Sequence, residues 1–159
     1  MISFKDVEER DGEFIEKVYR STREKELNLT GWPEDQKHRF IIMQSMAQLV
    51  DFKRNYKGTN YRIILYKKKP AGRLYLWETN SEVWVIDISL LPEFRGKGIG
   101  RSILSDIIER SRKKNKTVAL HVALGNPARR LYERLGFKKV GATATHDCME
   151  LSGPGGKEE

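Results

Sequence analysis

Cysteine is nearly absent: Cys148 is the only one in 159 residues. A single thiol forms no internal disulfide and supplies no cluster for zinc, so the fold must rest on packing and no metal is expected. Cys148 reads as a strand residue, not a nucleophile. Long apolar runs are also missing. Nothing approaches the roughly 18 apolar residues of a membrane span, and the opening MISFKDVEER lacks the continuous hydrophobic stretch of a signal peptide. A soluble, cytoplasmic protein without a membrane partner is expected. Acidic residues are outnumbered, 22 against 30 Lys and Arg, for a net charge of +8. That excess favours anionic partners in general. No internal repeat or low-complexity stretch interrupts the chain, and its length suits one domain over residues 1–151. The tail, residues 152–159, has no apolar anchor and is expected to be disordered.

What is present centres on residues 88–101, ISLLPEFRGKGIGR. They read as a buried strand entering a glycine-rich turn, then a helix whose Ile99, Ile103, Leu104, Ile107 and Ile108 repeat at helical spacing. The first amides of a helix lack internal partners and sit at the positive end of its dipole, and glycines let an anion approach the backbone. A phosphate-bearing ligand is the natural guest. Spacing excludes two nucleotide loops: no Lys-Ser or Lys-Thr follows a glycine at P-loop distance, and Gly96, Gly98 and Gly100 give G-x-G-x-G where a dinucleotide fingerprint needs G-x-G-x-x-G. As a plain connector the turn would not need three glycines, each of which weakens a helix start by about 0.5–1 kcal/mol.

Arg95-Gly96-Lys97-Gly98-Ile99-Gly100 does match the R/Q-x-x-G-x-G/A pyrophosphate loop of the GNAT acyltransferase superfamily, preceded by Pro-Glu-aromatic. A second block, residues 126–137 (NPARRLYERLGF), resembles that family's N-x-x-A-x-x-x-Y-x-x-x-G-F segment, with one residue fewer between Asn126 and Ala128. The ordered pair is the specific signal, and the resemblance covers roughly the last half of the chain. It implies an α/β (α+β) domain: a mixed, mostly antiparallel sheet of about seven strands flanked by about four helices, with a splayed parallel pair holding the cofactor.

The remaining chain fits that plan. Residues 2–7 suit a first strand, and 11–22 a helix with Phe14, Ile15 and Val18 on one face. Residues 23–31 form a charged link. Pro33 opens a second helix with Phe40, Met43, Ala47 and Val50 as its apolar stripe out to about Tyr56. Residues 61–67 and 73–77 read as strands joined through 68–72, and 83–91 as a central strand. After the glycine-loop helix, Asn115 marks a stop and residues 117–122 a strand, making a parallel pair by crossover. Asn126 is expected to cap the last helix, Pro127 to take its first position and Gly136 to end it, with final strands at 137–141 and 146–151.

The resemblance implies acetyl-CoA as acyl donor, without a metal, and an amine acceptor. Backbone of Ile88, Ser89 and Leu90 would pair with the pantetheine arm, Arg95, Gly96, Lys97, Gly98, Ile99, Gly100 and Arg101 would hold the pyrophosphate, and Asn126 matches a cofactor contact. Tyr132 shares a helix face with Ala128, Leu131 and Leu135, which suits a core tyrosine; by resemblance it protonates the departing thiolate. The general base stays open. Related enzymes place Glu or His where this chain has Trp84 and Ile86, leaving Glu82, Asp87 and His121, or solvent after positioning alone. Acceptor specificity in the family comes largely from the first two helices and their link, which here carry Arg23, Glu24 and Glu26, with Trp32, Gln44 and Gln48 nearby.

The function expected is transfer of acetyl to a primary amine, of a small molecule by preference, by direct attack on the thioester. A protein N-terminus or lysine is the alternative acceptor, a non-catalytic CoA-binding sensor the alternative class, and a homodimer is compatible with either. The basic run Arg110, Arg112, Lys113, Lys114 and Lys116 reads as a solvated helix end, so no nucleic acid is expected.

Overall fold

A computed structural model describes residues 1–152. The expected disordered tail, Ser152 aside, lies outside the described residues. The chain groups into two compact units, Met1–Tyr75 with Asp87–Arg95, and Leu76–Ile86 with the chain from Gly96 onward.

The first unit holds strand β1 (Ile2–Asp6), a 3-10 turn Glu9–Asp11, helices α1 (Gly12–Ser21), α2 (Glu24–Asn28) and α3 (Glu34–Asn55), and strand β2 (Asn60–Tyr66). It also takes the first part of β3 (Lys69–Glu78) and the last part of β4 (Glu82–Leu90). β1 and β2 pair antiparallel, Ile2 against Tyr66 through Asp6 against Arg62. Lys67 and Lys68 connect β2 to β3 with φ of 51° and 68°, the left-handed conformation of a two-residue hairpin turn. The strand therefore begins at Lys69 and not, as expected, at Arg73. Helix α1 packs on α3, and Tyr19, Leu27 and Ile41 form the buried cluster between the helices, with Phe40 against it.

Two expectations fail here. The charged link contains α2, because Leu27, 2% exposed, anchors a turn of helix whose other residues face solvent. That makes five α-helices among the described residues where about four were expected. The stripe on α3 also differs: Met43 and Val50 are 62% and 56% exposed and Ala47 is exposed, while Ile41 is buried with Gln44, Gln48 and Phe52 half-buried. The inward face is partly polar because its neighbours are polar. Gln44 accepts from the Tyr19 hydroxyl, and Gln48 from Arg73.

The second unit contains the start of β4, helix α4 (Ile99–Lys113), β5 (Thr117–Ala123), α5 (Arg129–Leu135), β6 (Lys138–Ala142) and β7 (His146–Leu151). β5 lies parallel to β4, Glu82 against Thr117 through Val85 against Leu120. β7 pairs antiparallel with both β5 and β6, the latter bulged between Lys139 and Gly141. Val83, Val85, Val118, Leu120, Val122 and Met149 are buried, as are Ile99, Ile103, Leu104 and Ile107 of α4, which packs on β5. Hydrogen bonding orders the seven strands β1-β2-β3-β4-β5-β7-β6, the mixed, mostly antiparallel sheet expected. No described helix is long and apolar enough to cross a membrane.

Candidate active site

β4 carries the chain to the glycine loop, and the first unit fixes its end closely. Leu91 donates its N–H to Ala71 O at 2.8 Å. A Cβ on Gly72 would lie 2.0 Å from the Ser89 carbonyl oxygen, so only glycine lets β3 approach there. Arg73, 3% exposed, donates from Nε to Asp87 Oδ2 at 2.6 Å and from a terminal nitrogen to Gln48 Oε1 at 2.9 Å. The Ser89 hydroxyl donates to the same Asp87 oxygen. Burial alone would lower the Arg73 pKa, but Asp87 and the Tyr75 hydroxyl outweigh it and hold the guanidinium charged. Ile88, Ser89 and Leu90 thus end a strand braced by an ion pair between a buried arginine and a half-buried carboxylate.

Arg95 does not extend freely toward a ligand. Its Nε donates to Leu90 O at 2.9 Å and a terminal nitrogen to Ser21 Oγ at 3.3 Å, so this side chain braces the turn. The residues after it are open. Gly96 and Gly98 have φ of 74° and 80°, and Gly98 stands at the N-cap of α4. The first turn of α4 carries no acidic residue, Lys97 and Arg101 are exposed, and the Ser102 N–H is bonded to Gly98 O. The amides of residues 99–101 precede that bond, where a helix has no internal acceptors to offer. Gly100 is informative because neither backbone nor packing requires it. Its φ is not positive, and a Cβ there, as at Gly96 and Gly98, would meet nothing within 4 Å. Glycine inside a helix costs about 0.5–1 kcal/mol relative to alanine. Bare backbone facing open space at the positive end of a helix suits a pyrophosphate.

Further along the second unit, Asn126 starts its helix differently from expectation. Its Oδ1 accepts from Ala128 N at 2.9 Å and its carbonyl from Arg129 N, closing a turn over residues 126–129, so α5 begins at Arg129 and not at Pro127. The proline favours the turn rather than the first helical position. Gly136, φ 106°, ends the helix as expected. Arg129 pairs with Asp147, which Lys139 also approaches at 3.4 Å, tying α5 to β7. Tyr132 is 8% exposed and meets Phe137 edge to face, ring centroids 5.9 Å apart.

On β4, Trp84 lies flat on His121 of β5, centroids 5.2 Å apart and planes 28° apart, while the indole N–H donates to Glu82 Oε1 at 3.0 Å. Sequence reasoning named these three residues singly. The register, Trp84 opposite Ala119, puts the tryptophan one step from His121 on the same face, and reading it required the pairing. Partial burial lowers the His121 pKa from 6.5, and His146 adds to the effect.

The acceptor candidates divide. Arg23 and Glu26 line a cavity of about 280 Å³ in the first unit with Trp32, Phe40 and Gln44, Trp32 standing edge-on to Phe40 at 5.2 Å. Glu24 pairs instead with Arg20 at 3.4 Å. Gln48 is engaged by Arg73. Phe40 was expected only as part of an apolar stripe. In the basic run, Arg110 pairs with Asp106, and Lys114 and Lys116 both pair with Glu78. Part of that run is thus neutralised on the protein itself. Among the described residues no group of three or more His, Cys, Asp or Glu could hold a metal ion.

Residues 15–137 match the acetyltransferase (GNAT) family. The chain belongs to that family. It is 37% identical over 60 residues to the [ribosomal protein bS18]-alanine N-acetyltransferase of Haemophilus influenzae, a match covering 37% of this chain and 41% of that protein. A Bacillus subtilis relative is 26% identical over 84 residues, 52% of this chain and 56% of its own. The chain thus spans about half the length of these curated relatives. Among solved structures it is similar to the PaiA N-acetyltransferase from Thermoplasma acidophilum in complex with coenzyme A, with a TM-score of 0.68 at 18% identity, covering 96% of this chain and 99% of that one. That likeness is one of fold.

Proposed function

We propose that the chain is an N-acetyltransferase that moves an acetyl group from acetyl-CoA to a primary amine by direct attack on the thioester. The observation that carries this is the loop: Gly96 and Gly98 ahead of α4 and Gly100 in its first turn have open space where a Cβ would stand, beside the helix's first amides and the exposed Lys97 and Arg101, in a chain of acetyltransferase family. These amides and cations would hold the pyrophosphate, with Arg95 keeping the turn in shape. Backbone of Ile88, Ser89 and Leu90 would pair with the pantetheine arm, and Asn126 would contact the cofactor while holding the turn into α5.

Acetyl-CoA supplies the activated thioester. The amine must lose a proton before its lone pair can attack, and the thiolate that leaves must gain one. Protonation of the thiolate falls to Tyr132. Phenols, with a pKa near ~10 in water, carry their proton at neutral pH, and α5 is fixed to β7 through Arg129 and Asp147. The test is release of CoA thiol from acetyl-CoA against a panel of polyamines, amino acids, aminoglycosides and peptides. Turnover with one amine class, lowered about a hundredfold or more by Tyr132→Phe with acetyl-CoA binding retained, supports the reading. Binding without turnover by any amine favours a CoA sensor and overturns it.

Two acceptors remain within this reading. The cavity beside Trp32 and Phe40, with Arg23 and Glu26 supplying one charge of each sign, is of a size for a small amine, which favours a small molecule. The Haemophilus influenzae relative is named for acetylating the alanine of a ribosomal protein, which favours a polypeptide N-terminus. Alanine-initiated peptides in the panel separate the two.

A further inference from the structure

We propose that His121 accepts the proton of the acceptor amine, with Trp84 as the residue that positions its ring. This rests on the acetyl-transfer reading above and assigns the base that reading leaves open. His121 is the next β5 residue after Leu120, which closes the parallel register with Val85. It lies at the carboxyl end of that register, where open α/β sheets bind their ligands. Its side chain is exposed on one ring face and covered on the other by Trp84, whose indole is in turn held by Glu82. A stack of this kind fixes the imidazole plane without consuming its nitrogens. The one carboxylate that β4 places on this face, Glu82, is engaged by the indole, and the proton acceptor stands one strand over.

The groups that share the sheet face with His121 are Glu82 from β4, His146, Cys148 and Glu150 from β7, and Lys138 from β6 opposite Glu150. Cys148 is directly opposite His121, and its thiol is pushed up by burial and by Glu150 and Glu82, so it stays neutral. Partial burial and His146 lower the His121 pKa, leaving the ring uncharged with a lone pair available at neutral pH.

Protons and electrons balance across the step. An ammonium acceptor gives one proton to an imidazole nitrogen, and the freed lone pair forms the N–C bond to the thioester carbonyl. The tetrahedral adduct loses the second N–H proton, and the C–S bond breaks with its electron pair on sulfur. One of the two protons ends on the CoA thiolate and the other in solvent. The products are the amide, free CoA and one released proton.

The test uses the full chain with the amine found in the thiol-release panel. His121→Asn is expected to lower kcat by about a hundredfold or more at neutral pH with acetyl-CoA affinity unchanged. Rate should return as pH rises toward the amine's own pKa, because hydroxide and solvent then do the deprotonation. Trp84→Phe should keep the activity, and Trp84→Ala should move the acidic limb of the pH profile upward as the ring becomes solvated. If His121→Asn fails to fold, His121→Gln is read in its place. A folded variant with the wild-type rate and pH profile overturns this inference and leaves acetyl transfer intact. Wild-type protein that binds acetyl-CoA and acetylates no amine overturns both.

Discussion

The Arg73 guanidinium is clamped to Asp87 at 2.6 Å and lies between two aromatic rings, Tyr75 at 4.9 Å and Tyr19 at 5.7 Å from its central carbon. With Gln48 and Ser89 bonded into the same group, α3, β3 and the last residues of β4 share one polar knot. Breaking such a pair leaves a buried charge uncompensated, whereas replacing both partners need not. Asp87→Ala should therefore lower stability by about 3–5 kcal/mol, read as a drop in denaturant midpoint. Arg73→Met combined with Asp87→Leu should recover a large share of it. Equal losses in the single and double variants would show that the pair does not act as a unit.

Gly72 gives a second expectation from the same region. A methyl group there would meet the Ser89 carbonyl oxygen at 2.0 Å, and backbone cannot swing aside as a flexible side chain would. Gly72→Ala should cost about 1–3 kcal/mol, the usual range for overpacking, and should weaken acetyl-CoA binding through the shifted end of β4. Thermal melts and titration calorimetry check the two effects. A variant as stable as the wild type contradicts the close approach.

The Asp147 carboxylate gives the anchoring of α5 an expected pH dependence. Hydrogen bonding from Arg129 chiefly lowers its pKa from 3.8, burial works in the opposite direction, and Lys139 assists the lowering. A carboxyl whose pKa is lower folded than unfolded contributes stability above its unfolded value, and that contribution disappears as pH falls through the folded one. Asp147→Asn should melt below the wild type at neutral pH, and the gap should close as pH is taken below 3.8. A gap independent of pH would assign the loss to packing.

Much of this was legible from residues alone, and the exceptions share causes. The glycine loop, the strand feeding it and the stripe Ile99, Ile103, Leu104 and Ile107 follow from local patterns that tertiary structure did not override. Helix α2 escaped because one apolar residue, Leu27, anchors it amid charges. The stripe on α3 went wrong because its inward face carries Gln44 and Gln48, which answer the polar groups Tyr19 and Arg73 and not a hydrophobic surface. The β2–β3 turn was hidden by two lysines in a left-handed conformation where glycine or asparagine is usual. The Trp84–His121 stack depends on strand register, which no single strand reveals.

The claim everything else depends on is that residues 96–101 hold the pyrophosphate of CoA. Gly100→Glu tests it with opposed readouts. The new Cβ meets nothing in the protein within 4 Å, and an acidic side chain in the first turn of α4 complements the helix dipole, so folding should be unharmed or slightly favoured. The same carboxylate would occupy and repel the phosphate position. Titration calorimetry of CoA into both proteins should show binding by the wild type and a loss of more than about tenfold, ~1.4 kcal/mol, in the variant, with no fall in melting temperature. A wild type that does not bind CoA, or a folded variant that binds it equally well, would contradict the account.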